Sequence, residues 1–303
     1  MDQYFQSQQK QYLDPLRLKT DSLASLNALP HLSFILQFDF RLHKPYLSKD
    51  EQDFYILDNP VRRDKVFKLP YVAPSQWKGA LRSAMMLELV KQGTSLDDEN
   101  WLKRRLQLTH LFGNEKGIDL DDERFEAFLD QPRPDQPRPD LAREYRQRLK
   151  ELTNSGFLAG RLCFFPTFFE KIGLEVINPH PRDTGAGKQP IYIESVPCGT
   201  SGTFTLLYVP FDRIGKDARK TRREVAEDLA LVAQGLKAMF TTYGFGAKTS
   251  SGFGVAEETF VKDAQGKSQA IIRVKGGKAY RYRSFAGLCQ VAEKLAKELS
   301  DAA

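Results

Sequence analysis

The stretch Phe54–Arg82, FYILDNPVRRDKVFKLPYVAPSQWKGALR, sets Asp58 among Arg62, Arg63, Lys65, Lys78 and Arg82. A carboxylate in so cationic a segment is an odd choice for a core and a sensible one for a phosphodiester. The cations would hold a phosphate backbone while the carboxylate acts at one link. Asp58 precedes Asn59-Pro60, and the residue before a proline is driven to extended backbone, so the local chain is directed. A turn-capping role for Asp58 is the competing reading. Ser75 is a fitting N-cap for a helix to about Lys91, with Trp77, Leu81, Ala84, Met85 and Leu89 along one side. Lys78 and Arg82 are four apart on that helix, share a face, and lie near the unsatisfied N–H groups of its first turn. That is a phosphate seat or a solvated helix face. Gly79, inside the first turn, costs helix stability and suits a close approach to the backbone.

A second feature is Gly244–Gly254, GFGAKTSSGFG. Gly244, Gly246, Gly252 and Gly254 permit positive φ, so that backbone N–H groups can face an anion. Lys248 adds a charge, and Thr249, Ser250 and Ser251 add hydroxyls. Without a ligand the same segment is a glycine-rich turn between helix and strand. Other sites are weaker. His43 suits a general base or a structural histidine. Asp183–Lys188, DTGAGK, fails as a P-loop because Arg182 stands where the first glycine belongs and Gln189 where Ser or Thr is needed. The basic run Lys216, Arg219, Lys220, Arg222, Arg223 precedes a helix start, where cations are disfavoured unless a polyanion or solvent compensates.

Positioning these groups falls to a mixed set of elements. Leu32, Phe34, Leu36, Phe38, Phe40 and Leu42 alternate with Ser33, Ile35, Gln37, Asp39 and Arg41, which predicts a half-buried strand. Prolines at 45, 60, 70 and 74 make residues 43–74 an irregular excursion. Helices are expected over 75–91, 101–112, 141–152, Glu224–Phe240 and from about Ser284. Strands are expected over Arg161–Phe169, Thr203–Val209, Val255–Lys262 and near 270–275. The tandem QPRPD of 130–140 reads as an extended insertion, and residues 170–202 as a long Pro/Gly-rich loop. Without the insertions the order is βαββαβ, an α+β, ferredoxin-like (RRM-like) plan. The aromatic signature of a true RNA-recognition motif is missing.

Composition bounds the function. A formal charge of +6 and a pI near 9.0 favour a polyanionic partner. Three separated cysteines (Cys163, Cys198, Cys289) and four scattered histidines argue against a disulfide framework or a structural metal site, and fit a reducing cytoplasm. No signal peptide is visible in MDQYFQSQQKQYLDP, and no apolar run approaches the roughly 20 residues that span a bilayer.

Three blocks, taken in order, resemble the RAMP superfamily, specifically the repeated backbone subunits of type III CRISPR RNA-guided effector complexes. They are Leu57–Asp64 with Leu69–Val72 and Ser75–Arg82; Leu111-Phe112-Gly113 with Gly160–Phe165; and Gly244–Gly254. The resemblance implies one RAMP domain over 1–303 with its core within 32–262. It implies a ferredoxin-like palm and an inserted thumb hairpin at 173–202. It also implies guide-RNA contacts by Arg62, Arg63, Ser75, Lys78, Arg82, Gly244, Gly246, Lys248, Thr249, Ser250 and Gly252. In catalytic members an aspartate matching Asp58 cuts target RNA at a displaced nucleotide with a divalent metal, Mg2+. The implied partners are CRISPR guide RNA, target RNA and other subunits of the complex, with no membrane. Two departures leave open whether Asp58 is active: the 173–202 segment looks more like the terminal, non-cutting subunit, and the QPRPD repeat has no evident place in the family pattern. The main expectation is therefore a guide-RNA-binding, metal-dependent endoribonuclease acting through Asp58. The alternative is a non-catalytic capping or scaffold RNA-binding subunit. A guide-processing endonuclease ranks below both, since that chemistry usually relies on a His or Tyr base.

Overall fold

A computed structural model describes residues 26–50, 59–92, 95–114, 129, 139–153, 157–178, 189–262, 266 and 270–301. Its centre is β1 (Phe34–Arg41), the strand that alternation predicts. Strand β1 lies in the middle of a five-stranded sheet with β3 (Leu162–Phe164), β7 (Ser201–Tyr208), β8 (Ile271–Val274) and β9 (Ala279–Arg281), in the order β3-β7-β1-β8-β9. Every pairing is antiparallel, with Phe38 opposite Phe204 and Leu36 opposite Ile272. A central strand is covered more fully than alternation alone suggests. Ile35 and Gln37, on the face expected to be polar, are also buried, and Gln37 is satisfied by Thr205.

The inward face of β1 builds an aromatic core. Phe38 lies 5.1 Å from Phe204, 5.2 Å from Phe240, 4.6 Å from Phe260 and 5.3 Å from Phe285, ring centre to ring centre. Three helices close over it. Helix α1 (Pro74–Gln92) buries Trp77, Leu81, Ala84, Met85, Met86 and Leu89. Helix α4 (Ala218–Ala238) buries Val225, Leu229, Val232 and Leu236 at helical spacing. Helix α5 (Phe285–Asp301) buries Phe285, Leu288, Ala292 and Leu295. Helices α1 and α4 meet at Gly235, where a Cβ would stand 2.4 Å from Met85 Cγ. Helices α2 (Asp98–Phe112) and α3 (Pro139–Leu152) pack beside them around Leu102, Tyr145 and Leu149.

Two short ribbons leave the sheet. Strand β2 (Tyr71–Val72) pairs with β4 (Thr167–Phe168), and β5 (Gly173–Ile177) pairs with β6 (Ile191–Ser195) as a hairpin. Residues 170–202, irregular by composition, thus carry regular pairing over much of their described length. Several boundaries also differ from the sequence reading. Pro166 divides the expected 161–169 strand into β3 and β4. Val255–Lys262 is not a continuous strand; it bends at Glu258 and carries isolated bridges, among them Leu42 to Ala256 and Thr259 to Ser284. Helix α4 starts at Ala218, its N-terminus capped by the Asp217 carboxylate accepting from Lys220 N, so Arg219, Lys220, Arg222 and Arg223 lie in its first turns while Lys216 precedes it. Residues 130–138 of the Pro-rich repeat lie outside the described residues.

Candidate nucleic-acid interface

Helix α1 opens with Pro74, the residue type favoured at a first helical position because its missing N–H is not needed there. The carbonyl of Ala73 accepts from the amides of Gln76 and Trp77. Ser75 is therefore not the N-cap that the sequence suggested; it is an exposed residue one step inside the helix. The helix start is fixed by Trp77, whose indole donates to Thr167 Oγ1 at 3.1 Å, while the Thr167 hydroxyl donates to the Thr203 carbonyl. Around this anchor Lys78 and Arg82 are half-buried, and both engage groups within the chain. Gly79 is exposed, and a Cβ there would meet open space. The backbone of the first turn can thus be approached from outside.

The glycine-rich segment divides into a base and a tip. At Gly244, Gly246 and Gly254, all at positive φ, a Cβ would strike Phe253 O at 2.5 Å, Leu47 O at 2.4 Å and Phe245 O at 1.9 Å. Glycine is demanded at these three by the chain itself, so Gly244 and Gly246 serve the loop's own packing. The base is stitched by Phe245 N to Gly254 O, Ala247 N to Leu47 O and Gly254 N to Pro45 O. Phe245 is buried 4.5 Å from the Trp77 ring, which ties the loop to the start of α1. A π-helical turn (Met239–Tyr243) after α4 delivers the chain into this loop, with Gly244 N bonded to Met239 O. The tip is Lys248, in the left-handed region at φ 57°, a 3-10 turn of Thr249–Ser251, and Gly252 at φ 84° with open space around its Cα. Lys248, Ser250, Ser251 and Gly252 are exposed and Thr249 is half-buried.

The Arg-rich segment forms a tight ribbon. Tyr71 N donates to Arg62 O, Asp64 N to Leu69 O, and Lys68 N to Asp64 O. The Asp64 carboxylate clamps the tip by accepting from the amides of Val66 and Phe67. The two arginines take different roles. Arg63 Nη2 donates to both carboxylate oxygens of Glu194 in β6, at 2.7 and 2.6 Å, and Val61 N also donates to Glu194. Arg62 is exposed, with its guanidinium 5.7 Å from the Tyr71 ring centre.

Sequence reasoning missed the residue that joins these parts. Tyr46, fully buried, packs its ring 5.6 Å from Phe245 and 5.7 Å from Phe169. Its hydroxyl lies 2.9 Å from Gln76 Oε1, in the first turn of α1, and 3.4 Å from the Tyr71 carbonyl. Its backbone pairs with Val196 just past β6. Burial pushes its hydroxyl up to about 12, so it is a neutral donor at any physiological pH. Loop base, helix start, Arg-rich ribbon and the end of the β5–β6 hairpin therefore converge on one residue, the last through its backbone. A Tyr after a Pro in an irregular segment gave no periodic signal for that role.

Asp58 lies outside the described residues, so its placement among these groups is not part of the described site. The expectation of metal-assisted cleavage is corrected by what the site does contain. Among the described residues no group of three or more His, Cys, Asp or Glu side chains comes together to hold a metal ion. Among the described residues of the Arg-rich region, Glu194 accepts from Arg63 and Asp64 accepts from two backbone amides.

A second polar cluster lies elsewhere. Arg161, 3% exposed, bonds Asp212, Asp228 at 2.8 Å and Glu224 at 3.3 Å, and Asp228 also accepts from Tyr208 and Gln107. Burial and the nearby Arg161 push His110 down to about 4. His43, the histidine considered as a general base, uses its backbone N–H on Val255 O. Among the described residues no helix is long and apolar enough to cross a membrane.

Comparison with known proteins bears on the whole chain. The family model of the RAMP superfamily matches residues 53–257. No curated protein matches the sequence. Among solved structures, the chain is similar to one in a type III-B Cmr-beta complex bound to cognate target RNA. That match has 15% identity and a TM-score of 0.46, covering 88% of this chain and 67% of the other. It is also similar to Csm3 of Methanopyrus kandleri (16% identity, TM-score 0.45, covering 88% and 98%). A third similarity is to Cmr6 of Pyrococcus furiosus (16% identity, TM-score 0.35, covering 74% and 98%).

Proposed function

This chain belongs to the RAMP superfamily, and from that premise we propose that it is a non-catalytic RNA-binding subunit of a type III CRISPR ribonucleoprotein. The observation that carries the reading is the convergence of loop base, helix start, ribbon and hairpin on Tyr46. Such a junction fixes the cations and open backbone of three elements relative to one another, which suits a phosphate backbone better than a single small ligand. In this reading the sheet with order β3-β7-β1-β8 is a ferredoxin-like palm and the β5–β6 hairpin is the thumb. Guide RNA runs past the tip at Lys248, Thr249, Ser250 and Gly252, the exposed first turn at Ser75 and Gly79, and the cations Arg62, Lys78 and Arg82. Arg63 holds the hairpin in place through Glu194 instead of contacting RNA. The partners are guide RNA, its target RNA and neighbouring subunits.

The test is Asp58→Ala in the reconstituted complex. This reading expects an unchanged target-cleavage pattern and unchanged RNA content. Disappearance of a cleavage position with RNA binding intact would return the chain to the enzymes.

A further inference from the structure

Beside its cations, the Arg-rich ribbon carries two aromatic rings that phosphate binding does not use. Tyr71 and Phe168 stand directly opposite each other in the β2–β4 pair, with ring centres 5.8 Å apart and planes 23° from parallel. The Arg62 guanidinium lies over Tyr71 at 5.7 Å. Both rings are half-buried and Arg62 is exposed, so the ladder Arg62–Tyr71–Phe168 reaches the surface beside the start of α1. The opposite faces of the same two strands are spent in the core: Val72 and Thr167 are buried, and Thr167 accepts from Trp77.

Three further observations bear on what the ladder is for. Among the described residues no carboxylate pairs with Arg62, whereas its neighbour Arg63 bonds Glu194. The ribbon is locked by the Asp64 clamp, by Lys68 at φ 56° and by the Tyr71–Arg62 backbone bond, so the ladder is preorganised. Exposed Lys65 and Lys68 flank it on the same ribbon. Planar cation and aromatic groups in one ladder, bordered by cations, match an unstacked base with its phosphate alongside.

We propose that the Arg62–Tyr71–Phe168 ladder is a stacking platform for one unpaired nucleobase of the bound RNA. The inference rests on the RNA-binding reading above and adds to it a site for a base, where the other contacts take phosphate.

The test uses the full chain and a uridine-rich oligoribonucleotide carrying a single 2-aminopurine, moved along the strand. The platform predicts that 2-aminopurine fluorescence is quenched at one position and not at its neighbours. Tyr71→Leu and Phe168→Leu relieve that quenching and weaken binding roughly 5- to 100-fold without changing its salt slope, as loss of one stacked base should. Tyr71→Phe keeps both. Should a Leu variant misfold, a base-free residue at the quenched position of the RNA, with the native protein, must produce the same loss. If native protein binds RNA yet no position is quenched, or the base-free strand binds as tightly, the platform is wrong and RNA binding stands. If native protein binds no RNA, the functional reading itself is wrong.

Discussion

Glu194 Oε2 accepts from Arg63 Nη2 at 2.6 Å and from Val61 N at 3.1 Å, binding the inner strand of the β5–β6 hairpin to the Arg-rich segment. Arg63 is 20% exposed and Glu194 9%, so the pair is largely shielded from solvent. Removing one partner leaves the other charge desolvated. We expect Glu194→Ala to cost about 3 kcal/mol in urea unfolding. Arg63→Ala in the Glu194→Ala background should add much less than Arg63→Ala alone. Additive losses would mean the two side chains do not act together.

The two kinds of glycine in the 244–254 loop should respond differently. Gly254→Ala places a methyl against Phe245 O and also strains a φ of 70°. Gly252→Ala meets nothing and pays only the strain of a φ of 84°. We expect Gly252→Ala to cost about 1 kcal/mol and Gly254→Ala clearly more, measured by thermal unfolding. Equal losses would contradict the division into base and tip.

Tyr46→Phe removes the hydroxyl that meets Gln76 while keeping the ring against Phe245 and Phe169. The expected loss is about 1 kcal/mol of stability. RNA affinity should fall further than that of a stability-matched core variant such as Leu288→Val, because the helix start is no longer pinned to the loop. Equal RNA affinity in the two variants would remove Tyr46 from the account.

His110 titrates near 4 in the folded chain, depressed by burial, by Arg161 and by Arg213, with Asp212 opposing. Its unfolded value is about 6.5. Between those values the unfolded state takes up a proton that the folded state refuses, so stability is full above about pH 6.5 and falls as pH drops toward 4. The loss assignable to His110 is about 3 kcal/mol at most. His110→Gln should flatten that part of the pH–stability curve. A curve of unchanged slope would show that other groups control acid unfolding.

Much of the fold was legible because its signals are periodic. Alternation located β1, and helical spacing located α1, α2, α4 and α5. What escaped was set by contacts between distant segments. Gly254 reads as a ligand-cradling glycine in sequence, yet its requirement comes from Phe245 O. Arg62 and Arg63 are neighbours of one type, and only β6, more than a hundred residues on, decides that Arg63 goes to Glu194. The nuclease expectation rested on Asp58 and its charged neighbours; among the described residues of that region, Glu194 and Asp64 bond within the chain.

The account stands or falls on which cations carry the RNA. Arg219, Lys220 and Arg223 begin α4, whose start lies by Leu32 and Pro210, before β1. Arg62 and the Lys248 tip lie past its other end, about 26 Å along the strand. Fluorescence anisotropy of an oligoribonucleotide across a salt series separates the two. Arg62→Ala and Lys248→Ala should each weaken binding and lower the salt slope by about one, while Arg219→Ala/Lys220→Ala/Arg223→Ala leaves the slope unchanged. The reverse result, with the slope carried by the α4 cations and indifferent to Arg62 and Lys248, would place RNA on another face and contradict the interface.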